Sequence, residues 1–174
     1  RTLEAGEGDG DLIPTGAGDD LIIGGAAGDT ITADEGDNLV IGDHGSLDFD
    51  EGVLRSATST DFALGGDDTM TAGEGDDFVI GGYGADSLTA NGGNNAVVGD
   101  HGEVGYTASG AYDLAKTLEA RVGDIDTITV GDGDALILGG VACLKLARAD
   151  ITSGSSGSSH PGAARRGPPT FAGR

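Results

Sequence analysis

A nine-residue repeat runs through most of the chain, and it limits the possible folds more than any other feature. The ten copies are 6–14, 15–23 (TGAGDDLII), 24–32 (GGAAGDTIT), 33–41 (ADEGDNLVI), 63–71, 72–80 (AGEGDDFVI), 81–89 (GGYGADSLT), 90–98 (ANGGNNAVV), 121–129 and 130–138. A fixed period of this kind indicates a stack of small units, each of which contacts only its neighbours.

Each unit has the pattern of a turn followed by a short strand. The first six places are rich in Gly, Asp and Asn, which supply the positive φ values of tight turns. The eighth place is aliphatic in every copy: Ile13, Ile22, Ile31, Val40, Met70, Val79, Leu88, Val97, Ile128 and Ile137. Because side chains alternate across a strand, we predict that the eighth place points into a core and that places seven and nine point outward.

A longer period of 57 to 58 residues lies above the nine-residue one. GDHG at 42–45 returns at 99–102, and GGDDTMTAGEGDDFVIGG from 65 returns as GDIDTITVGDGDALILGG from 123. Each long repeat also holds one segment without the turn pattern, at 46–62 and at 103–121. Glu51-Gly52 and Ser109-Gly110 at the centres of these segments predict two hairpin-like arms.

The charge of the chain indicates that a cation takes part in folding. The 174 residues include 35 Gly, no Trp and a formal net charge of −21, divided as −25 over residues 1–144 and +4 over 145–174. Such an acidic chain has too few large apolar groups to offset a backbone entropy of about 1–2 kcal/mol per residue. The same charge disfavours nucleic acid as a partner, and no apolar run is long enough for membrane insertion.

The units resemble the RTX, or haemolysin-type, calcium-binding nonapeptide-repeat family, whose pattern is G-G-x-G-x-D-x-U-x with U apolar. GGYGADSLT at 81–89 matches every fixed place. The resemblance implies an all-β fold, a right-handed parallel β-roll or β-solenoid, with the two hairpin-like arms inserted. It implies several Ca²⁺ ions as cofactors, and Ca²⁺ takes about 6 to 8 oxygen ligands from carboxylates and carbonyls. It also implies a secreted or cell-surface bacterial protein exported by type I secretion.

If two units complete one coil, turns 18 residues apart lie in the same row, about one strand spacing from each other. The family's geometry implies an ion between two such turns, held by places two, four and six of one turn and places one, three and six of the next. The implied ligand sets are Glu7, Asp9, Asp11, Gly24, Ala26 and Asp29; Gly16, Gly18, Asp20, Ala33, Glu35 and Asn38; Leu64, Gly66, Asp68, Gly81, Tyr83 and Asp86; and Gly73, Gly75, Asp77, Ala90, Gly92 and Asn95.

The sixth place differs between the two rows of turns. The first row has Asp11, Asp29, Asp68, Asp86 and Asp126, whereas the second row has Asp20, Asn38, Asp77, Asn95 and Ala135. We therefore expect the second row to bind Ca²⁺ more weakly. The alternative, that these acids form only a solvated face, leaves their fixed register with the Gly and aliphatic places unexplained.

His44 and His101 occupy the third place of the turn from which each arm leaves, beside Asp43 and Asp100. An Asp/His pair is one possible sign of a transition-metal site, but two ligands are too few. A role in holding the base of the arm is the favoured interpretation.

The outward places differ between the two predicted sheets. One sheet is apolar outside as well as inside, with pairs such as Leu39/Ile41 and Phe78/Ile80. An uncovered strip of this size exceeds what soluble monomers usually expose, so we expect the arms or a second copy of the chain to cover it. The other sheet carries Thr-x-Thr ladders such as Thr69/Thr71, which resemble the ice-binding face of some antifreeze solenoids but also suit an ordinary solvated strand.

No GxSxG, HExxH or P-loop pattern is present, so we predict a chain that is not an enzyme. Cys143 is the single cysteine, which excludes an internal disulfide framework and a thiolate zinc site. Residues 1–142 are predicted to form the calcium-binding β-roll. Residues 143–174 are predicted to form a capping segment and a disordered tail rich in Ser, Gly, Pro and Arg.

The predicted function is a Ca²⁺-binding module that folds on binding the ion into a rigid adhesive or structural rod. The sequence leaves two alternatives open. One is the C-terminal secretion or folding region of an exported toxin, protease or lipase. The other is an ice-binding solenoid that uses the Thr-x-Thr face.

Overall fold

The computed structural model describes residues 8–110, 112–119, 121–140 and 145–148. These residues form strands and no helix, so the all-β prediction is confirmed for them. The strands are β1 (Leu12–Pro14), β2 (Leu21–Ile23), β3 (Thr30–Ala33), β4 (Leu39–Ile41), β5 (Gly45–Asp50), β6 (Val53–Ser59), β7 (Thr69–Ala72), β8 (Phe78–Ile80), β9 (Ser87–Ala90), β10 (Asn95–Val98), β11 (Gly102–Tyr106), β12 (Tyr112–Thr117), β13 (Thr127–Val130), β14 (Ala135–Leu138) and β15 (Lys145–Arg148). Within this part of the chain, no helix could cross a membrane.

The strands belong to three sheets. Sheet A has the order β1-β3-β7-β9-β13-β15, sheet B has the order β14-β10-β8-β4-β2, and sheet C has the order β12-β11-β6-β5. Sheets A and B are parallel, whereas sheet C is antiparallel. The chain alternates between sheets A and B, so Ile13 lies opposite Ile31 and Leu21 lies opposite Leu39.

The eighth places of the units form the core between sheets A and B, as predicted. Ile31, Val40, Met70 and Leu88 are each 1% exposed. Ile13 and Ile137 at the two ends of the stack are only partly buried against the others. One aliphatic side chain per unit, together with Ala33, Ala72, Ala90 and Val130 at the ends of sheet A strands, therefore fills a thin core. Such a core accounts for an interior without Trp and with few aromatic residues.

The two segments that lack the turn pattern form sheet C. Strands β5 and β6 are antiparallel partners, and so are β11 and β12. Glu51 and Gly52, between β5 and β6, have φ values of 52° and 80°, as the tight turns favoured in hairpins require. Strand β6 also pairs with β11, with Ala57 opposite Val104, so the two arms make one continuous sheet.

Sheet C covers the apolar outer face of sheet B. Leu39, Ile41, Phe78, Ile80 and Val98 from sheet B pack in one buried cluster with Leu54, Ala57, Val104 and Tyr106 from the arms. The coverage ends before the outer strands of sheet B, where Leu21 is 40% exposed and Leu136 is 44% exposed. The arms therefore bury the middle of the strip and leave its two ends open.

The base of the second arm contacts the end of the first arm. Nε2 of the buried His101 lies 3.1 Å from the carbonyl oxygen of Phe62, and the two rings meet edge to face with their centres 4.8 Å apart. Burial lowers the pKa of His101. These contacts support the interpretation that His101 holds the arm base.

Strand β15 adds to sheet A beside β13, with Thr127 opposite Lys145. The rest of the predicted capping segment and tail, 143–144 and 149–174, lies outside the described residues.

Candidate metal centre

The place-six aspartates of the first row form a continuous hydrogen-bonded ladder. The backbone N–H of Asp11 donates to Asp29 Oδ1 at 2.7 Å, and the N–H of Asp29 donates to Asp68 Oδ1 at 2.7 Å. The N–H of Asp68 donates to Asp86 Oδ1 at 2.9 Å, and that of Asp86 donates to Asp126 Oδ1 at 3.1 Å. One carboxylate oxygen of each residue from Asp29 onward is thus fixed by the preceding turn.

The other carboxylate oxygen, Oδ2, is buried and has no hydrogen-bond partner at four of these residues, namely Asp29, Asp68, Asp86 and Asp126. Their side chains are 1–2% exposed. Burying a polar or charged oxygen without a partner is costly, and a bound cation removes that cost.

Each of these oxygens lies against a glycine, which is the first-place glycine of the same unit for Asp29 and Asp86 and the first glycine of the GDHG segment before the arm for Asp68 and Asp126. A methyl group at Gly42 would overlap Asp68 Oδ2 and would lie 2.6 Å from the carbonyl oxygen of Gly81. The same relationship joins Gly24 to Asp29 and Gly42, Gly81 to Asp86 and Gly99, and Gly99 to Asp126 and Gly139. A carboxylate oxygen and a carbonyl oxygen of the next turn therefore share a space that only glycine leaves open.

The second row has the same ladder with alternating acid and amide. The N–H of Asp20 donates to Asn38 Oδ1 at 3.1 Å, the N–H of Asn38 to Asp77 Oδ1 at 3.0 Å, and the N–H of Asp77 to Asn95 Oδ1 at 2.9 Å. Oδ2 of Asp20 and Oδ2 of Asp77 are buried without a hydrogen-bond partner. The ladder stops at Ala135 because alanine has no side-chain oxygen. The N–H of Asn95 donates instead to the backbone carbonyl of Asp134.

Positive side chains do not neutralise these rows. Between residues 8 and 140, Lys and Arg occur only at Arg55, Lys116 and Arg121. Arg55 pairs with Asp50 at 3.1 Å and Lys116 pairs with Glu103 at 2.9 Å, both within the arms. The buried carboxylates are therefore uncompensated by any described Lys or Arg ion pair.

The pKa values of the buried acids express this lack of compensation. Burial is the largest cause in each case, and it raises the pKa of Asp68 to about 7, of Asp86 to about 9, and of Asp77 and Asp126 to about 6. Neighbouring carboxylates raise these values further. Burial also raises the pKa of Asp29. A divalent cation would favour the charged forms and reverse these shifts.

Asp43 is a buried acid of the first row that the ligand sets from the sequence missed. Its carboxylate accepts hydrogen bonds from the N–H of Gly66 at 3.1 Å and from the N–H of Tyr83. Burial raises its pKa to about 7, and Asp68 and Asp29 contribute to the rise. The side chain thus joins the turn that resumes after the first arm to the turn above it.

Asp100 stands in the same position beside the second arm. It lies against Gly123 and Gly140, as Asp43 lies against Gly65 and Gly82. GDHG occurs twice in the sequence, 57 residues apart, and this repetition could have indicated that Asp43 and Asp100 have the same position beside the two arms.

The structure brings together parts of all four predicted ligand sets. Asp68 lies near Gly81, Asp11 bonds to Asp29, Asp20 to Asn38, and Asp77 to Asn95. The carbonyls of Glu35 and Gly92 accept from the N–H groups of Gly18 and Gly75, at 2.7 and 3.0 Å. Glu7 lies outside the described residues.

The remaining predicted residues have these positions. Asp9 and Gly16 are exposed, and the carbonyl of Ala26 lies over Gly8. Ala33 and Ala90 end strands β3 and β9 with buried side chains. Leu64 donates its N–H to the carbonyl of Asp61, Gly73 lies against Asp34, and Gly66 and Tyr83 bond to Asp43 as described above. Sequence reasoning missed the steps from Asp29 to Asp68 and from Asp86 to Asp126, because it paired only turns 18 residues apart.

The donor set is oxygen from carboxylates and backbone carbonyls. No group of three or more His, Cys, Asp or Glu side chains within the described ranges is arranged to hold a metal by side chains alone. Carbonyls must therefore complete any coordination shell here, and this donor chemistry suits a hard ion such as Ca²⁺ rather than a soft transition metal.

Residues 14–46 and 62–100 match the family model of the RTX calcium-binding nonapeptide repeat, in 4 copies. The chain contains RTX calcium-binding nonapeptide repeats. RTX repeats bind Ca²⁺, so Ca²⁺ is the cofactor that the buried carboxylates and carbonyls fit. The matched family is a calcium-binding repeat and not a catalytic domain. Comparison with curated proteins and with solved structures gave no match.

Proposed function

We propose that this chain is a non-catalytic Ca²⁺-binding module of a secreted or cell-surface bacterial protein, and that sheets A and B form a right-handed parallel β-roll. The observation that carries the proposal is the set of six buried carboxylate oxygens without partners, at Asp20, Asp29, Asp68, Asp77, Asp86 and Asp126. Each stands at place six of a turn, where the RTX pattern has its Asp.

The first row would hold its ions between successive turns. Asp29 with Gly42, Asp68 with Gly81, Asp86 with Gly99 and Asp126 with Gly139 are the pairs that face a common space. In the second row, Asp20 and Asp77 would contribute their unpartnered oxygens. The bound ion supplies positive charge to oxygens that otherwise repel one another, and the residues of the turns position those oxygens.

Binding of Ca²⁺ would act as a folding switch. An ion that binds only the folded chain stabilises it by about 2.7 kcal/mol per independent site at a hundredfold excess over Kd. Several sites together are comparable to a net stability of about 5–15 kcal/mol. The module would therefore stay unfolded at the low Ca²⁺ of the cytosol and fold after export into an adhesive or structural rod.

Circular dichroism of the purified chain with and without Ca²⁺ tests the proposal. We expect strong β signal in millimolar CaCl₂, loss of that signal when a chelator is added, and recovery on readdition. Equimolar MgCl₂ controls for ionic strength and should not restore the signal. Equal β content in the calcium-loaded and metal-free states would reject the switch.

A second candidate function, ice binding, is favoured by the position of the arms. The arms cover sheet B and leave the outer face of sheet A uncovered. On sheet A, four threonines lie side by side on neighbouring strands, namely Thr32, Thr71, Thr89 and Thr129. Thermal hysteresis of the calcium-loaded chain tests this function, and Thr71→Lys should abolish it while Thr58→Lys in the first arm should not. Absence of hysteresis in the unmodified chain rejects ice binding.

A further inference from the structure

The side-chain amide of Asn38 lies where the RTX pattern leads one to expect an ion. Its Nδ2 donates to the carbonyl oxygen of Asp34 at 3.2 Å, to the carbonyl of Gly36 at 3.0 Å and to Asp77 Oδ1 at 3.1 Å. Asp34 and Gly36 are places two and four of their turn, and Asp77 is place six of the next turn. These are three of the oxygen positions that the resemblance assigns to calcium.

The orientation of this amide is fixed by its other end. Asn38 Oδ1 accepts the N–H of Asp20 at 3.1 Å, so Nδ2 must face the carbonyls. The side chain is fully buried, with 0% exposure. A neutral donor therefore satisfies oxygens that would otherwise need a cation.

Asn95 repeats part of this arrangement one long repeat later, without a hydrogen bond from its Nδ2 to the described residues of the next turn. Its Oδ1 accepts the N–H of Asp77 at 2.9 Å, and its Nδ2 donates to the carbonyl of Asn91, place two of its own turn, at 2.9 Å. Asn95 is 3% exposed. Asn38 and Asn95 each stand in the last second-row turn before an arm.

The acids of the same row behave differently. Asp20 and Asp77 keep a buried oxygen without a partner, whereas the Nδ2 groups of Asn38 and Asn95 both have partners. The two residue types alternate along the row. Every second layer, meaning the space between two successive turns of the row, therefore already contains an amide Nδ2 that donates to a carbonyl oxygen.

We propose that Asn38 and Asn95 are built-in replacements for Ca²⁺ in the second row. This inference rests on the proposed calcium-binding function and refines it. Layers that begin at Asp20 and Asp77 take an ion, whereas layers that begin at Asn38 and Asn95 are closed by the amide. At Asn38 the amide also reaches Asp77 of the next turn in the row, so these two turns are joined across the first arm in a way that does not depend on calcium.

Calcium stoichiometry of single substitutions tests the inference. Isothermal titration with CaCl₂ should give one more ion per chain for Asn38→Asp and two more for Asn38→Asp/Asn95→Asp. The matched control Asp77→Asn should lose one ion. An unchanged stoichiometry in Asn38→Asp would overturn the inference, whereas a wild-type chain that binds no Ca²⁺ would instead overturn the proposed function.

A measurement on the unmodified chain covers the case in which a variant does not fold. In the calcium-loaded protein, the Nδ2 hydrogens of Asn38 should exchange with solvent at least tenfold more slowly than those of an unstructured Asn, because all their acceptors are internal. Exchange as fast as that of an unstructured Asn would overturn the inference without any substitution.

Discussion

Asp68 Oδ1 accepts the backbone N–H of Asp29 at 2.7 Å, although 39 residues and a complete arm separate the two. The equivalent bond from Asp11 to Asp29 crosses only 18 residues and has the same length. The arm is therefore inserted within the turn that begins at Gly42 and ends at Asp68, without changing how that turn stacks on the turn of Asp29. The row of carboxylates continues through the arm base as though the arm were absent.

Asp68→Asn should remove one calcium site. The substitution should lower the stability of the calcium-loaded chain and raise the stability of the metal-free chain. In excess Ca²⁺ the free energy of unfolding should fall by about 2.7 kcal/mol, the value of one site at a hundredfold excess over Kd. Without metal the variant should be more stable than the wild type, because a buried uncompensated carboxylate has become neutral. Denaturant unfolding in CaCl₂ measures the first effect, and the residual β signal of the metal-free variant compared with that of the metal-free wild type measures the second.

The control for this substitution is Asp132→Asn, which makes the same change of charge at an exposed residue. It should alter stability by no more than about 0.5 kcal/mol in either state. Equal effects of the two substitutions would show that net charge, and not the site, controls stability.

Gly42→Ala should damage the first-row layer that Asp68 and Gly81 form. The added methyl group would overlap Asp68 Oδ2, on a buried side chain that the N–H of Asp29 holds in place, and it would lie 2.6 Å from the backbone carbonyl oxygen of Gly81. We expect a loss of about 1–3 kcal/mol in Ca²⁺, the usual range for overpacking. Gly16→Ala is the matched control, since nothing lies within 4 Å of the added carbon there. Thermal unfolding of both variants in CaCl₂ distinguishes them, and a stable Gly42→Ala would contradict the placement of the carboxylate.

The core and the alternation of sheets could be predicted because both follow from local pattern. Every eighth place is aliphatic, and a short strand between two turns leaves that side chain a single inward direction. The register between Leu21 and Leu39 follows from the same period.

The hydrogen bonds that join turns across an arm could not be predicted in this way. Nothing between Asp29 and Asp68 in the sequence shows that the turn resumes in register after the first arm, because register there depends on how the arm packs on sheet B. The role of Asn38 was hidden for a different reason. The pattern indicates a weaker ligand at this place, but only the contacts of Nδ2 show a donor in the position of the ion.

Leu54→Ala should destabilise the chain by uncovering sheet B. Leu54 is 2% exposed and packs in the cluster that includes Phe78 and Val104. Deleting a buried leucine side chain costs about 2–5 kcal/mol. The control is Leu114→Ala on the other arm, where the side chain is 44% exposed and the cost should be much smaller. Urea unfolding in CaCl₂ measures the difference, and equal costs would argue against packing of the first arm on sheet B.

Without calcium, acid should stabilise the fold. An unfolded Asp titrates near pH 4, whereas burial raises the pKa of Asp77 and Asp126 to about 6, of Asp43 and Asp68 to about 7 and of Asp86 to about 9. The folded chain therefore binds more protons than the unfolded chain between about pH 4 and pH 9. Its free energy of unfolding must fall as the pH rises through that window.

Circular dichroism of the calcium-stripped chain from pH 4 to pH 9 tests this prediction. We expect β signal at the acid end and its progressive loss toward pH 9, while excess CaCl₂ should flatten the profile because the ion keeps the same carboxylates charged. At the acid end of this range, where the metal-free fold keeps these acids protonated, calcium binding should also release protons, which titration in two buffers of different ionisation enthalpy detects. A metal-free chain that gains β structure as the pH rises would contradict the burial of these acids. Buried acids with raised pKa values can only make the metal-free fold less stable as the pH rises.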